Sequence, residues 1–85
     1  MRDANLVAEI TGIVRTIGRV APHVDIEPDH LLDEDLGLDS LALVEVIIHL
    51  EDAYQMTIDD ADAGKLRRVR DIVDYVAAQQ RSAAA

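Results

Sequence analysis

The segment from Leu41 to Tyr54 constrains the fold most, because its apolar side chains recur at the spacing of an α-helix. Wound at about 100° per residue, one set of these side chains falls within a narrow arc, as expected for a face that packs into a core. That set is Leu43, Val46, Ile47, Leu50 and Tyr54. The segment therefore predicts an amphipathic helix that begins at Asp39 or Ser40 and ends near Tyr54.

The same helix has a second apolar stripe, which lies about 130° from the core face. The stripe and its acidic flanks are Leu41, Val44 and Ile48, with Glu45 and Asp52 on one side and Glu51 on the other. A helix in a small bundle needs one buried face, so a second stripe edged by carboxylates predicts a contact surface for a partner. The alternative is that the stripe packs under the loop that precedes the helix.

Two further segments also have helical periodicity. Apolar side chains indicate a first helix over about 3–20, with Arg15 and Arg19 on its solvent side, and a last helix over about 69–80. No alternation typical of a strand persists anywhere in the sequence. The pattern therefore predicts helices at both ends of the chain.

The remaining segments connect these helices. Asp59 and Asp60 are candidate caps for a short helix over about 61–65. A long connection over about 21–37 contains two prolines and recurrent apolar residues, which we expect to pin it to the bundle. The whole pattern predicts an all-α fold, a small four-helix bundle with three longer helices, one short helix and a long first loop.

The composition limits the size of the core and the kind of partner. A length of 85 residues suits one domain over 1–85, which we expect to be ordered over about 3–80 with a tail at 81–85. Without Phe or Trp, the core must consist of Leu, Ile, Val and Ala. The formal net charge of −9 disfavours nucleic acid and anionic membranes, and it favours partners that present Lys or Arg.

Several classes of site and segment are missing from the sequence. The absence of cysteine excludes disulfides, zinc sites with cysteine ligands and cysteine nucleophiles. The first residues lack the apolar run of a signal peptide, and no segment has the length of a membrane span. We therefore expect a cytoplasmic protein, and a monomer.

Ser40 lies at the start of the predicted second helix. A serine there is usually a cap or the neighbour of one, and Asp39 is itself a good N-cap. The alternative is a serine esterified by a phosphate, since the free N–H groups and the positive end of the helix dipole favour a negative group at this position. The residues alone leave both interpretations open.

Several segments in and after this helix start resemble the acyl carrier protein family. They are Asp35-Leu36-Gly37-Leu38-Asp39-Ser40-Leu41, then Val44-Glu45 and Leu50-Glu51-Asp52-Ala53-Tyr54, then Ile58 and Val69 with Ile72-Val73-Asp74-Tyr75-Val76. The resemblance covers essentially the whole chain. It implies a non-catalytic carrier, to which a phosphopantetheinyl transferase attaches 4′-phosphopantetheine from coenzyme A at Ser40. Asp39 belongs to the same motif, and acyl groups would be held as thioesters on the thiol of the arm.

The resemblance also implies a docking surface and a path for the cargo. In the family, basic patches of partner enzymes, such as acyltransferases and ketosynthases, dock on the helix after the modified serine. That role falls on Leu41, Val44, Glu45, Ile48, Glu51 and Asp52. In fatty-acid carriers the acyl chain can enter between the helices, and Val44, Leu50 and Ile58 would lie on its path.

Two features depart from the family pattern. Ala42 stands where many fatty-acid carriers have an acidic residue, and Lys65, Arg67, Arg68 and Arg70 form a basic cluster where small polar residues are common. The cluster leaves the last helix without Ser or Thr as a cap, and its simplest role is to balance nearby carboxylates. These departures favour polyketide-type or other specialised biosynthesis over housekeeping fatty-acid synthesis.

Other classes of function fit the sequence less well. Ser40 and His49 lie nine residues apart on one helix, on opposite sides, so they cannot act as nucleophile and base. The three histidines have no metal-binding spacing, and the acidic segment from Asp33 fails the EF-hand pattern because position 6 is Leu38. Two alternatives remain: an aminoacyl or peptidyl carrier with the same arm, and a helical interaction module in which Ser40 is never modified.

Overall fold

The computed structural model describes residues 2–84, with side-chain surroundings for residues 4–82. Its helices are α1 (Arg2–Ile17), α2 (Ser40–Ala53), α3 (Asp60–Ala63) and α4 (Val69–Ala84). Within those residues there is no strand, and one isolated antiparallel bridge pairs Leu31 with Arg68. The predicted all-α fold, with three longer helices and one short helix, is therefore confirmed. None of the helices described is both long enough and apolar enough to cross a membrane.

The core lies between α1, α2 and α4 and is aliphatic. α1 packs against both α2 and α4, and the long loop closes one side of the bundle with buried leucines. No buried side chain among the described residues is polar or charged. The buried residues are Leu6, Ile10, Val14, Val20, Leu32, Leu36, Leu38, Val46, Leu50, Ile58, Leu66, Val69, Ile72, Val73 and Val76.

α1 ends at Ile17, earlier than predicted, because the chain turns at Arg19, which is exposed and has a φ of 57°. The N–H of Val20 returns to the carbonyl of Arg15 at 3.0 Å, which is the pattern of a Schellman C-cap. The Arg15 guanidinium is half-buried and donates to two loop carbonyls at 2.9 and 2.7 Å. The prediction that Arg15 lies in solvent is therefore wrong, since its side chain holds the start of the loop.

The long loop caps the N-terminus of α4. The N–H groups of Val69 and Arg70 donate to the carbonyls of His30 and Pro28 at 3.2 and 2.9 Å. These are N–H groups that have no acceptor within the helix itself. The Arg70 side chain also forms an ion pair with Asp29. The carbonyl groups of the loop therefore accept the free N–H groups of α4, and the ion pair joins the same two segments.

Asp71 supplies the cap that the sequence lacks as Ser or Thr. Its Oδ2 accepts the backbone N–H groups of Arg67 and Arg68 at 3.1 and 2.9 Å, as the acidic member of a capping box does. The Arg68 guanidinium donates to the carbonyl oxygen of Asp29. All four residues of the basic cluster are exposed, and two of them, Arg68 and Arg70, hold the loop against α4.

α4 continues to Ala84, past the predicted end at Gln80. The segment contains no Gly or Pro, and Ala and Arg are strong helix formers, so nothing in the sequence stops the helix. The expected tail from Arg81 is therefore helical as far as Ala84. Ala85 lies outside the described residues.

Candidate functional site

The start of α2 presents the Ser40 side chain to solvent. Asp39 is the N-cap of this helix: its backbone is extended, and its Oδ1 accepts the N–H of Ala42 at 2.8 Å. Ser40 is consequently the first helical residue. The cap is made by the neighbouring carboxylate, so the hydroxyl is left accessible to a reagent from solution.

Buried leucines hold the segment before Ser40 in place. Leu36 and Leu38 are buried on either side of Gly37, which has a φ of 79°, a conformation that favours glycine. Leu38 packs against Gly18, directly after the end of α1: a Cβ added at this position would lie 3.0 Å from the two Leu38 methyl groups, and closer still to the Val14 carbonyl oxygen. The turn that precedes Ser40 is therefore held against the bundle by its buried leucines, and this fixes the position of Ser40.

The N-terminus of α2 can accommodate a phosphate ester. N–H groups of the first helical turn have no intrahelical acceptor, and the helix dipole places partial positive charge at this end. The first turn of α2 contains no acidic residue, so the Asp39 carboxylate is the nearby negative group in the cap. The residues present therefore fit a phosphate attached to the Ser40 hydroxyl.

The second apolar stripe of α2 is open to solvent. Leu41, Val44 and Ile48 are 68%, 52% and 58% exposed, and they are the large hydrophobic residues that stand out from the surface in the described part of the chain. The alternative that this stripe packs under the long loop is therefore wrong. An apolar surface of this kind, on a small domain, is suited to a protein contact.

The acidic residues beside this stripe differ in their exposure and in their hydrogen bonds. Asp52 is exposed and Glu45 is half-buried. Glu51 is also half-buried, and its Oε2 accepts the N–H of Ile58 at 2.8 Å. Glu51 thus ties the segment after α2 to the helix, a role that the sequence did not indicate.

A cleft of about 580 Å³ opens beside Ser40, between α2 and α3. Val44 and Ile58 line it, as the family resemblance implies, whereas Leu50 is fully buried in the core and does not line it. Val44 and Ile48 belong to both the cleft and the exposed stripe. The full lining is Leu32, Ser40, Leu43, Val44, Val46, Ile47, Ile48, Glu51, Ile58, Asp60, Ala63, Gly64, Leu66 and Ile72.

Sequence reasoning missed the far wall of this cleft, which Asp60, Ala63, Gly64 and Leu66 form. α3 is one short turn with no buried residue, so its sequence has no apolar periodicity to detect. The one sequence feature that could have indicated this wall is Leu66, an isolated apolar residue after α3, which is buried in the structure.

The geometry also limits the chemistry of the chain alone. Ser40 and His49 are nine residues apart on one helix, so the rise of the helix alone separates them by about 13 Å. A nucleophile and its base must be within hydrogen-bond reach. Among the described residues, no group of three or more His, Cys, Asp or Glu side chains is arranged to hold a metal ion.

A family model and individual proteins of known sequence both match most of this chain. Residues 4–76 match the model of a family described as the phosphopantetheine attachment site. An acyl carrier protein of Desulforapulum autotrophicum is 48% identical over 52 residues, which are 61% of this chain and 68% of that protein. An acyl carrier protein of Acidothermus cellulolyticus is 37% identical over 70 residues, which are 80% of this chain and 83% of that protein.

A solved structure shares the fold. It is assigned as an acyl carrier protein from Mycobacterium tuberculosis and superposes with a TM-score of 0.79 at 31% sequence identity. The similarity covers 87% of this chain and 97% of that one.

Proposed function

The chain belongs to the acyl carrier protein family, and on that premise we propose that Ser40 is the residue that bears its 4′-phosphopantetheine. Proteins of this family are non-catalytic carriers, they hold this group covalently, and they serve a phosphopantetheinyl transferase and biosynthetic enzymes. The observation that carries the proposal is the exposure of Ser40 as the first residue of α2, beside the cleft. The other serine, Ser82, lies on α4 and is not part of the cleft lining.

The chain's own residues have a positioning role in this function. The Ser40 oxygen would form the ester to the phosphate, and the N-terminus of α2 would stabilise the negative charge. When bound, the arm supplies the thiol that holds an acyl group as a thioester. The apolar walls of the cleft offer an acyl chain a place out of water, at about 25 cal/mol for each Å² of apolar surface that is buried.

We further propose that the exposed stripe of α2 is the face that partner enzymes contact. Leu41, Val44 and Ile48 provide the apolar part, and Glu45 and Asp52 provide negative charge at its edge. The net charge of −9 favours rapid encounter with a basic patch. Glu51 lies at the opposite edge of the stripe, and its carboxylate already accepts a backbone N–H.

The proposed cargo is an acyl group of a polyketide-type or other specialised pathway. Ala42 reduces the negative charge of the docking face, and the exposed Lys65 and Arg67 add positive charge to the chain that joins α3 to α4. These features change the surface that a partner enzyme meets. The alternative is an aminoacyl cargo on the same arm.

A loading experiment tests the proposed cargo. The modified protein is offered, in separate reactions, a malonyl donor with acyltransferases from fatty-acid and polyketide systems, and an amino acid with an adenylating enzyme. We expect the mass of a malonyl thioester to appear fastest with the polyketide acyltransferase. Faster loading by the fatty-acid enzyme would contradict the proposed pathway, and preferential aminoacyl loading would contradict the acyl cargo.

A further inference from the structure

α3 is a weakly supported wall of the cleft. It has one turn, Asp60–Ala63, and contributes no buried residue to the core. Its two ends are held by Ile58 and Leu66, which are buried before and after it. The opposite wall belongs to α2, whose Val46 and Leu50 are fully buried. If the cleft widens, the yielding wall must therefore be α3.

Ala63 of α3 packs against the core, and a side-chain hydrogen bond ties α3 to α4 on the side away from the cleft. The hydroxyl of Tyr75 on α4 donates to Oδ2 of Asp62 at 2.8 Å, and in the part of the chain that the structure describes this is the side-chain hydrogen bond that joins α3 to another helix. Both residues are half-buried, and neither lines the cleft. A hydrogen bond to a carboxylate is among the stronger kinds.

We propose that the hydrogen bond between Tyr75 and Asp62 is a latch that sets how far α3 can yield, and thereby the length of acyl chain that the cleft shelters. Tyr75 is then a positioning residue that determines cargo size without touching the cargo. The proposal rests on the proposed function, because it needs an acyl group on the arm. A chain longer than the closed cleft can hold must displace α3, and the latch opposes that movement.

The molecule contains a matched control for this contact. The hydroxyl of Tyr54 donates to Oε1 of Glu9, also at 2.8 Å, and joins α2 to α1. Neither Tyr54 nor Glu9 lines the cleft. Tyr54→Phe therefore removes the same kind of bond from a part of the bundle that does not hold α3.

Hydrogen exchange on the unmodified protein tests the latch without any arm or cargo. The N–H groups of Ala63 and Gly64 donate to the carbonyls of Asp59 and Asp60, so their exchange reports opening of α3. We expect Tyr75→Phe to raise their exchange about tenfold, and Tyr54→Phe to leave it unchanged. Equal exchange at α3 in Tyr75→Phe and wild type would overturn the proposal. Asp62→Asn keeps a weaker acceptor for the Tyr75 hydroxyl, so α3 should exchange at a rate between those of wild type and Tyr75→Phe. This variant replaces Tyr75→Phe in the test if Tyr75→Phe does not fold.

Thioester cleavage by hydroxylamine tests the consequence for cargo. Butyryl, octanoyl and dodecanoyl groups are loaded on wild-type, Tyr75→Phe and Tyr54→Phe proteins. We expect Tyr75→Phe to shift the best-protected chain to a longer one, and Tyr54→Phe to behave as wild type. The same length dependence in all three proteins would overturn the proposal. If Ser40 accepts no arm, the proposed function fails, and the exchange experiment still decides whether the latch exists.

Discussion

The carboxylate of Glu51 accepts the backbone N–H of Ile58 at 2.8 Å, across the turn that ends α2. Ile58 is buried and lines the cleft, so this bond helps to fix one of the cleft's apolar walls. The family resemblance implies a role for Glu51 at the docking face, and this bond adds a structural role. Two acidic residues of one helix, Glu45 and Glu51, are therefore expected to respond differently to substitution.

Glu51→Ala should destabilise the fold. It leaves the partly buried N–H of Ile58 without its acceptor, which costs about 1–3 kcal/mol in free energy of unfolding. Urea unfolding followed by circular dichroism measures the change. Asp52→Ala on the exposed side of the same turn is the control and should change stability by less than about 0.5 kcal/mol. Equal stability of the two variants would contradict the structural role of Glu51.

Glu45→Lys should weaken docking and leave the fold intact. The substitution reverses a charge at the edge of the exposed stripe, so association with a basic partner surface slows and the effect shrinks as salt is added. The measurement is binding to a phosphopantetheinyl transferase, together with the helical circular dichroism spectrum. Loss of helix content, or unchanged binding at low salt, would contradict this prediction.

The two tyrosines should make the fold sensitive to alkaline pH. Burial, together with the hydrogen bond to Glu9, raises the pKa of Tyr54 well above its ordinary value of 10.0. The hydrogen bond to Asp62, together with partial burial, raises the pKa of Tyr75. Because the folded state holds these protons more tightly than the unfolded chain, their contribution to stability is complete below about pH 10 and is lost as the pH rises further.

Phenolate absorbance measures this directly, since the chain has no Trp to obscure it. We expect the folded protein to titrate at higher pH than the same protein in urea. Tyr54→Phe should lower the midpoint, because it removes the residue with the larger rise in pKa. Coincident titration curves in buffer and urea would contradict the prediction.

Salt should stabilise the protein. The chain carries a net charge of −9, and the described residues contain one ion pair, between Arg70 and Asp29. Screening over a Debye length of about 8 Å at physiological ionic strength reduces self-repulsion, so the melting temperature should rise. Sodium and magnesium chloride at equal ionic strength are expected to act alike. A melting temperature that does not change with salt would contradict this prediction, because it would mean that the negative charges do not destabilise the fold.

The sequence predicted α2 well because its determinants are local. An acidic N-cap at Asp39 and apolar spacing through Leu50 specify both the start and the buried face of the helix. The same periodicity separated Leu41 and Ile48 from the buried face, but whether the preceding loop covers them depends on tertiary packing, and the structure shows them exposed. The position of Ser40 at that helix start left its role open, and the carrier function was implied by the family resemblance of the segments in and after that start.

The capping of α4 could not be predicted in this way. The first N–H groups of α4 donate to the carbonyls of Pro28 and His30. No local sequence pattern identifies acceptors that lie so far away in the chain. Asp71 acts as a cap from inside the helix, where an acidic residue is also common without that role. The bonds from Glu51 to Ile58 and from Tyr75 to Asp62 likewise depend on how separate segments meet after folding.

The most direct test is to locate the phosphopantetheine on the protein by peptide mass spectrometry. The chain is incubated with coenzyme A and a phosphopantetheinyl transferase, alongside Ser40→Ala and Ser82→Ala variants. We expect the added mass on the peptide that contains Ser40 in the wild type and in Ser82→Ala, and no added mass in Ser40→Ala. Modification at Ser82, or retention of the added mass by Ser40→Ala, would contradict the assignment of Ser40.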